Sequence, residues 1–269
     1  MDNNILASPK FEKIIDDIVE LGFARGNKNY IKTNNNRQIH QTRFVDFNQG
    51  IDGRLLNEKI VGQLSRIEIN PLRIAFDHAD DESIKIYKNA QWLAAKYGFK
   101  NLSNYVLFNF HDSPEDLYNR LKINIELNKQ FKAYNFNTSI WSFPMKYMPF
   151  EGEHRTDRKY IGENWNAKML RGVQCILNAT HGVVGPKEEF FNHAFGRTFD
   201  EFYKIIYMPE EYIIKRKENK TKIDAWVNLF DQLNSCEKKH FITLISDNKF
   251  PNLEIKNPKI RTLYMCYVK

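Results

Sequence analysis

The stretch Phe44-Val45-Asp46-Phe47-Asn48-Gln49-Gly50-Ile51-Asp52-Gly53-Arg54 decides the fold class. Its apolar alternation stops abruptly at a cluster of amide, carboxylate and guanidinium groups. A strand buried in a parallel sheet reads this way when it delivers polar side chains to a site at its C-terminal end. The same ending recurs at Arg73-Ile74-Ala75-Phe76-Asp77-His78, at Tyr105-Val106-Leu107-Phe108-Asn109-Phe110-His111-Asp112, and over residues 139–145. Four strands that all end in polar groups point to one shared site and to descent from an enzyme.

Helical patterns separate these strands. Ser8 and Pro9 read as N-cap and first residue of a helix carrying Ile14, Ile15, Ile18, Val19 and Leu21, which Gly22 ends. Residues 24–43 are basic, Asn-rich and free of acid, a loop or extended excursion before the strand at Phe44. Asn57 caps a helix through Arg66. Asp81 starts another, with Ile84, Ala90, Leu93 and Ala94 on its apolar face and Gly98 at its stop. Ser113-Pro114-Glu115-Asp116 is a nearly complete helix start, with a capping hydroxyl, an early proline and two acids at the positive end of the dipole. Leu117, Leu121, Ile125 and Leu127 supply that helix's apolar side.

Strands spaced by single helices imply right-handed crossovers and a parallel sheet. The order suits a TIM-like or partial barrel, whose reactive residues gather at strand C-termini. An open doubly wound sheet is the competing arrangement. There is no G-x-G-x-x-G and no P-loop, which argues against the usual nucleotide folds. Past Glu151 the chain changes character. A helical hairpin is expected across 164–179 and 187–194 about the Gly182–Gly185 turn, then a short helix capped by Thr198, a solvated charge run at 215–222, and a helix over 223–233. Two strand-like segments, 241–245 and 262–268, finish the chain. The expected division is 1–150 as an α/β barrel and 151–269 as a mainly helical extension with short strands.

Composition bounds the function. With 269 residues and 42% hydrophobic content the chain can build a sizeable core. No apolar run approaches the ~18 residues of a membrane span, and the N-terminus lacks the pattern of a secretory signal, so a soluble cytoplasmic protein is expected. Cys175, Cys236 and Cys266 form no disulfide framework, metal knuckle or redox pair and are expected to be buried thiols. A net charge of +7 permits a nucleic-acid partner without requiring one.

Asp52, Arg54, Asp77, His78, His111 and Asp112 are the strand-end candidates. Arg54 suits a ligand carboxylate in bidentate fashion, and the Asp77-His78 pair suits positioning or moving a proton. The alternative is that these groups pair with one another and fix loops. His78, His111 and His181 share no metal-ligand spacing, so structural roles are expected. Thr180-His181-Gly182-Val183-Val184-Gly185 either presents backbone N–H groups to a ligand or simply ends a helix. Phe190, Phe191, Phe195, Phe199, Phe202 and Tyr203 have helical spacing and read as core.

Taken together, residues 2–9, 45–54, 73–77 and 105–116 resemble the radical S-adenosylmethionine superfamily. They are most similar to uncharacterised members that often carry a cobalamin-binding-like N-terminal domain. The similarity covers about residues 2–150 and extends in part over 172–209, where Gly185-Pro186-Lys187-Glu188-Glu189-Phe190-Phe191 and Ala194-Phe195-Gly196 carry it. The resemblance implies a partial barrel that binds S-adenosylmethionine (SAM) across its strand ends. It places Asp2, Asn3 and Asn4 at the end of the second strand, toward the SAM amino group. Gln49 and Arg54 would follow the third strand, Asp77 and His78 the fourth, and Asn109 and His111 the fifth; Pro144 and Met145 would end the sixth. Arg54 is the preferred partner of the SAM carboxylate.

One departure bears on mechanism. The family's C-x3-C-x2-C segment, which holds a 4Fe–4S cluster, is absent, and the three cysteines lie in the wrong elements to replace it. The expectation is therefore a barrel lacking its first strand. It would be a truncated product, half of a split enzyme complemented by a cluster-bearing segment or subunit, or a degenerate relative kept for binding. Radical hydrogen abstraction from an unknown substrate would require the missing segment. The alternative function is a non-catalytic binding module for RNA or a protein partner.

Overall fold

The computed structural model describes residues 4–34 and 37–268. They form two compact units. Unit 1 takes the chain up to Val106 together with Arg120–Phe143 and Gly185–Lys187; unit 2 takes Leu107–Asn119, Pro144–Val184 and the chain from Glu188 onward.

The first elements are α1 (Phe11–Ile18) and a hairpin of β1 (Tyr30–Asn34) and β2 (Arg37–Gln41), followed by α2 (Glu58–Leu64). Next come β3 (Leu72–Arg73), α3 (Asp81–Lys96), β4 (Asn101–Phe108), α4 (Pro114–Ala133) and β5 (Ser139–Lys146). The second sheet has the order β3-β4-β5 and is parallel, with Leu72 opposite Leu102 and Arg73 opposite Ser103. Ser139 N–H donates to Lys100 O (2.9 Å) at one end of the β4–β5 pair, and Tyr147 N–H to Phe108 O (2.7 Å) at the other. The fold is thus mixed α/β on a parallel sheet with helical crossovers.

Two features hold the sheet of unit 1. Ala90, Ala94 and Ala95 of α3 and Ile123, Leu127 and Phe131 of α4 are buried in one core with Leu72, Ile74, Leu102 and Ile140. The Asn128 side chain accepts from Ile140 N–H (2.8 Å) and donates to Ile140 O (3.1 Å), so a helix residue satisfies the free edge of β5. Ser113 and Asp116 cap α4 reciprocally, Asp116 N–H donating to Ser113 Oγ (3.2 Å) and Ser113 N–H to Asp116 Oδ2 (2.8 Å).

Several expectations need correction. The segment at Phe44 is not a strand: Phe44 is exposed, and only two isolated parallel bridges, Val45 to Ile69 and Ile51 to Ile74, tie it to the sheet. Gly50, at φ 81°, turns the chain between them. The strand at 73–77 shrinks to Leu72–Arg73 plus the bridge at Ile74. Ser8 caps no helix; α1 begins at Phe11, and Ser8 Oγ accepts from Lys10 N–H in the preceding turn (3.3 Å). Leu21 is exposed in a π-turn where Gly22 adopts φ 89°. The basic segment is the extended excursion rather than a loop, with residues 30–34 and 37–41 paired antiparallel.

Unit 2 contains α5 (Ala167–Ala179), α6 (Glu188–Phe195), α7 (Phe199–Tyr207), α8 (Glu210–Ile214), α9 (Lys220–Asp231), α10 (Ser235–Ile245) and α11 (Pro258–Met265). α5 packs against α7 and α8, and Gly172 makes that approach possible. A Cβ there would fall 2.6 Å from Ile206 Cα. Neither of the two short strands expected at 241–245 and 262–268 forms: 241–245 lies in α10, and 262–265 ends α11 before a turn at 266–267. An Asn234–Glu237 capping box starts α10, and Asn257 caps α11 with Pro258 in its first turn. These starts override the local β-branched and aromatic content. The run at 215–222 is not wholly solvated: Asn219 is buried, and the Arg216 guanidinium turns inward onto the carbonyls of His193 and Ala194 at the end of α6. Of the three thiols only Cys175 is buried; Cys236 and Cys266 are exposed. Among the aromatics expected in the core, Phe191, Phe195 and Phe202 are buried and Phe190 is 39% exposed.

Candidate functional site

The C-terminal ends of the parallel segments in unit 1 open onto a cleft of about 300 Å³. Asn4, Asp52, Arg54, Asp77, His78 and Ser83 supply its polar groups, and Ile51, Phe76, Ile86 and Tyr87 its apolar floor. The local sequence explains the convergence. The bridge at Ile51 delivers Asp52 to the rim, and Asp52 caps the short turn Gly53–Leu55 by accepting from Arg54 N–H at 2.9 Å. The chain that leaves the bridge at Ile74 reaches the rim at Asp77 and His78. Asp80 then starts α3 by accepting from Ser83 N–H (2.9 Å), which returns Ser83, Ile86 and Tyr87 to the same cleft. Gly53 keeps the loop close to α3, since a Cβ there would lie 3.3 Å from Ala90 Cβ.

Asp52 and Arg54 form an ion pair, with Nη2 2.6 Å from Oδ2 and Nε 2.9 Å from both carboxylate oxygens. That hydrogen bond holds the Asp52 carboxyl below its ordinary range, against partial desolvation, and raises Arg54. The backbone and side chain of Ser83 lower Asp80. Arg54 remains largely exposed and offers further N–H donors to the cleft. The rim therefore carries two carboxylates and a guanidinium within one small concavity, a donor set complementary to a zwitterion.

The floor is rigid. Phe76 and Tyr87 stack at 3.9 Å with planes 5° apart. Tyr87 Oη donates to Asn124 Oδ1 (2.8 Å) and accepts from Asn104 Nδ2, and Asn124 Nδ2 donates to Ser142 Oγ (2.8 Å). Burial pushes the Tyr87 hydroxyl far above its ordinary value, so it stays protonated as a donor. Beneath the rim Arg120, 1% exposed, donates to the carbonyls of Asp77 (3.4 Å) and Phe76 (3.5 Å).

Of the residues singled out from sequence, the structure brings Asn4, Arg54, Asp77 and His78, with Asp52, around one cleft. Asp2 and Asn3 lie outside the described residues. Gln49 is exposed and does not line the cleft. Asn109 and His111 belong to unit 2 and do not line it either. Asn109 is buried at φ 75°, accepting from Gly162 N–H (2.8 Å) and donating to Tyr160 O (3.1 Å), which assigns it to holding a loop. His111 is exposed, and its carbonyl accepts from Asn164 Nδ2 (2.9 Å). Asp112 accepts from Phe110 N–H (2.9 Å), Pro144 is buried and Met145 exposed. The turn after α5 closes on itself, Gly182 N–H donating to Leu177 O at 2.7 Å, as a helix terminator does. Sequence reasoning missed Tyr87 and Arg120. The signal for Arg120 was present: Arg120, Asn124 and Asn128 recur every four residues along α4 and are all buried.

The residues present do not fit a 4Fe–4S cluster. Cys175 lies within α5, Cys236 within α10 and Cys266 at the end of α11, and among the described residues no group of three His, Cys, Asp or Glu side chains is placed to hold a metal ion. Among those residues, too, no helix is long and apolar enough to cross a membrane. Comparison of the chain with protein-family models, with curated proteins and with solved structures finds no match.

Proposed function

We propose that the unit 1 cleft binds S-adenosylmethionine by its amino-acid end, and that the chain is the barrel portion of a radical SAM-type enzyme. The observation that carries this reading is the convergence of Asn4, Asp52, Arg54, Asp77 and His78 at the C-terminal ends of parallel segments, where α/β proteins place their ligands. Arg54 receives the ligand carboxylate through N–H groups not engaged by Asp52, Asp77 and the Asn4 amide receive the ammonium, and the Phe76–Tyr87 stack bounds the apolar side. A cleft of this size is at the lower end for a small-molecule site, consistent with a partial barrel that covers the ligand on one side.

Reductive cleavage of SAM is chemistry that the cluster supplies when bound, so on this reading radical hydrogen abstraction waits on a complementing segment or subunit. This chain's own residues bind and orient. Calorimetry tests the proposal with SAM, with methionine and with 5′-methylthioadenosine, which lacks the amino-acid end. Binding of SAM and methionine that Arg54→Ala and Asp77→Ala each weaken at least tenfold is the expected result, about 1.4 kcal/mol per variant. Binding of methylthioadenosine equal to SAM, or no binding of SAM, sinks it.

A further inference from the structure

The β1–β2 ribbon carries surface that the fold does not use. Residues 24–43 hold five Lys and Arg and no Asp or Glu. Every residue of β2 is exposed, and Tyr30, Ile31 and Ile39 are 46%, 47% and 42% exposed. The register puts Tyr30 opposite Gln41 and Lys32 opposite Ile39. Side chains alternate across a strand, so Tyr30, Lys32, Arg37, Ile39 and Gln41 share one face.

Two of the five cations anchor the ribbon. Arg43 donates to Leu21 O and lies 4.3 Å from the Phe23 ring and 5.5 Å from the Tyr30 ring. Arg25 donates to the carbonyls of Tyr97 (2.8 Å) and Gly98, and lies over Phe99. The other three, Lys28, Lys32 and Arg37, take part in no ion pair among the described residues. Lys32 and Arg37 are diagonal neighbours, about 7–8 Å apart at the backbone, close enough for one polyanion strand to meet both.

We infer that this ribbon face binds single-stranded nucleic acid. Lys28, Lys32 and Arg37 neutralise backbone phosphates, and Tyr30, held from below by Arg43, offers a ring for an unpaired base. The exposed Asn29, Gln38 and Gln41 side chains supply both donors and acceptors, as base edges require and an acidic peptide does not. The inference is independent of what the unit 1 cleft binds.

The test is fluorescence anisotropy of the full chain with labelled 12-nucleotide RNA and DNA strands and the corresponding duplex. Three neutralised phosphates on a single strand give a log–log salt slope of about −2, so affinity is expected to fall about twentyfold between 50 and 200 mM salt. The triple variant Lys28→Gln, Lys32→Gln, Arg37→Gln should remove most of that dependence. Tyr30→Ala should cost about tenfold, with circular dichroism unchanged in both. Absence of binding at 50 mM salt overturns the inference, as does tighter binding of the duplex. So does unchanged affinity in the triple variant, or triple-variant-sensitive binding to phosphatidylserine vesicles without binding to the strands.

Discussion

Replacing Tyr87 by Phe is the sharpest probe of the cleft floor, because it removes one oxygen and leaves the ring. Tyr87 is 2% exposed, and its hydroxyl joins two side chains that are themselves 1% and 2% exposed, Asn104 and Asn124. Without the hydroxyl, Asn124 Oδ1 loses a donor and Asn104 Nδ2 loses its acceptor, both in the buried core. Each buried group left unpaired costs about 1–3 kcal/mol, offset by about 1 kcal/mol because Phe carries no hydroxyl to desolvate. The net loss expected is about 1–5 kcal/mol. The ring stack on Phe76, at 3.9 Å, is retained, so ligand affinity per folded molecule should change little. Urea unfolding of the native chain and the variant, followed by circular dichroism, measures the difference. A loss below about 0.5 kcal/mol, the range of ordinary surface changes, would refute the idea that this hydroxyl holds α3 and α4 to the sheet. A second variant, Asn124→Leu, sharpens the test, since the two losses should combine to less than their sum within one network.

Other expectations follow from single contacts. Gly172→Ala drives a Cβ into the backbone of Ile206 and should cost at least about 3 kcal/mol, read as a lowered thermal midpoint, while Gly62→Ala, whose Cβ would meet only Tyr97 Cε1 at 3.7 Å, should not. Asn128→Ala strips both bonds from the edge of β5 and should lose about 2–4 kcal/mol of stability; a fluorescence-monitored urea midpoint equal to that of the native chain would contradict it. Burial lowers the Lys168 ammonium from 10.5 to about 8, although Nζ donates to Met208 O (2.7 Å) and Ile206 O (3.3 Å). The folded state thus binds the proton less tightly than the unfolded chain, and the penalty, full below pH 8, is relieved as pH rises toward 10.5. Relative to Lys168→Met, the native chain should gain roughly 1–2 kcal/mol between about pH 8 and 9.5; an unchanged difference across that window would be inconsistent with a buried ammonium.

How far the sequence is legible depends on which force decides each element. Strong local starts were readable: Asn57, Asp80 and Ser113 cap α2, α3 and α4 near where the polar-then-apolar pattern puts them. The C-terminal segments at 241–245 and 262–268 were misread because the reading weighed their β-forming content and not the Asn234 and Asn257 caps upstream. The segment at Phe44 looks like a strand because Val45, Phe47 and Ile51 are apolar, yet the left-handed Gly50 and the exposed Phe44 leave only two bridges. Asp52, Arg54, Asp77 and His78 were legible because a strand's polar end is a local pattern. Tyr87 was not, because its role depends on α3 meeting the sheet, whereas the four-residue spacing of Arg120, Asn124 and Asn128 carried a signal that the strand-end pattern overshadowed. The fate of Asn109, spent on Gly162 and Tyr160, also depends on contacts about fifty residues away.

The most direct measurement is a crystal structure of the chain soaked with S-adenosylmethionine. Density in the unit 1 cleft with the carboxylate on Arg54 and the ammonium on Asp77 and Asn4 is the result expected. Density for the ligand elsewhere on the molecule, or in the cleft with its adenine end on Arg54, would contradict the assignment.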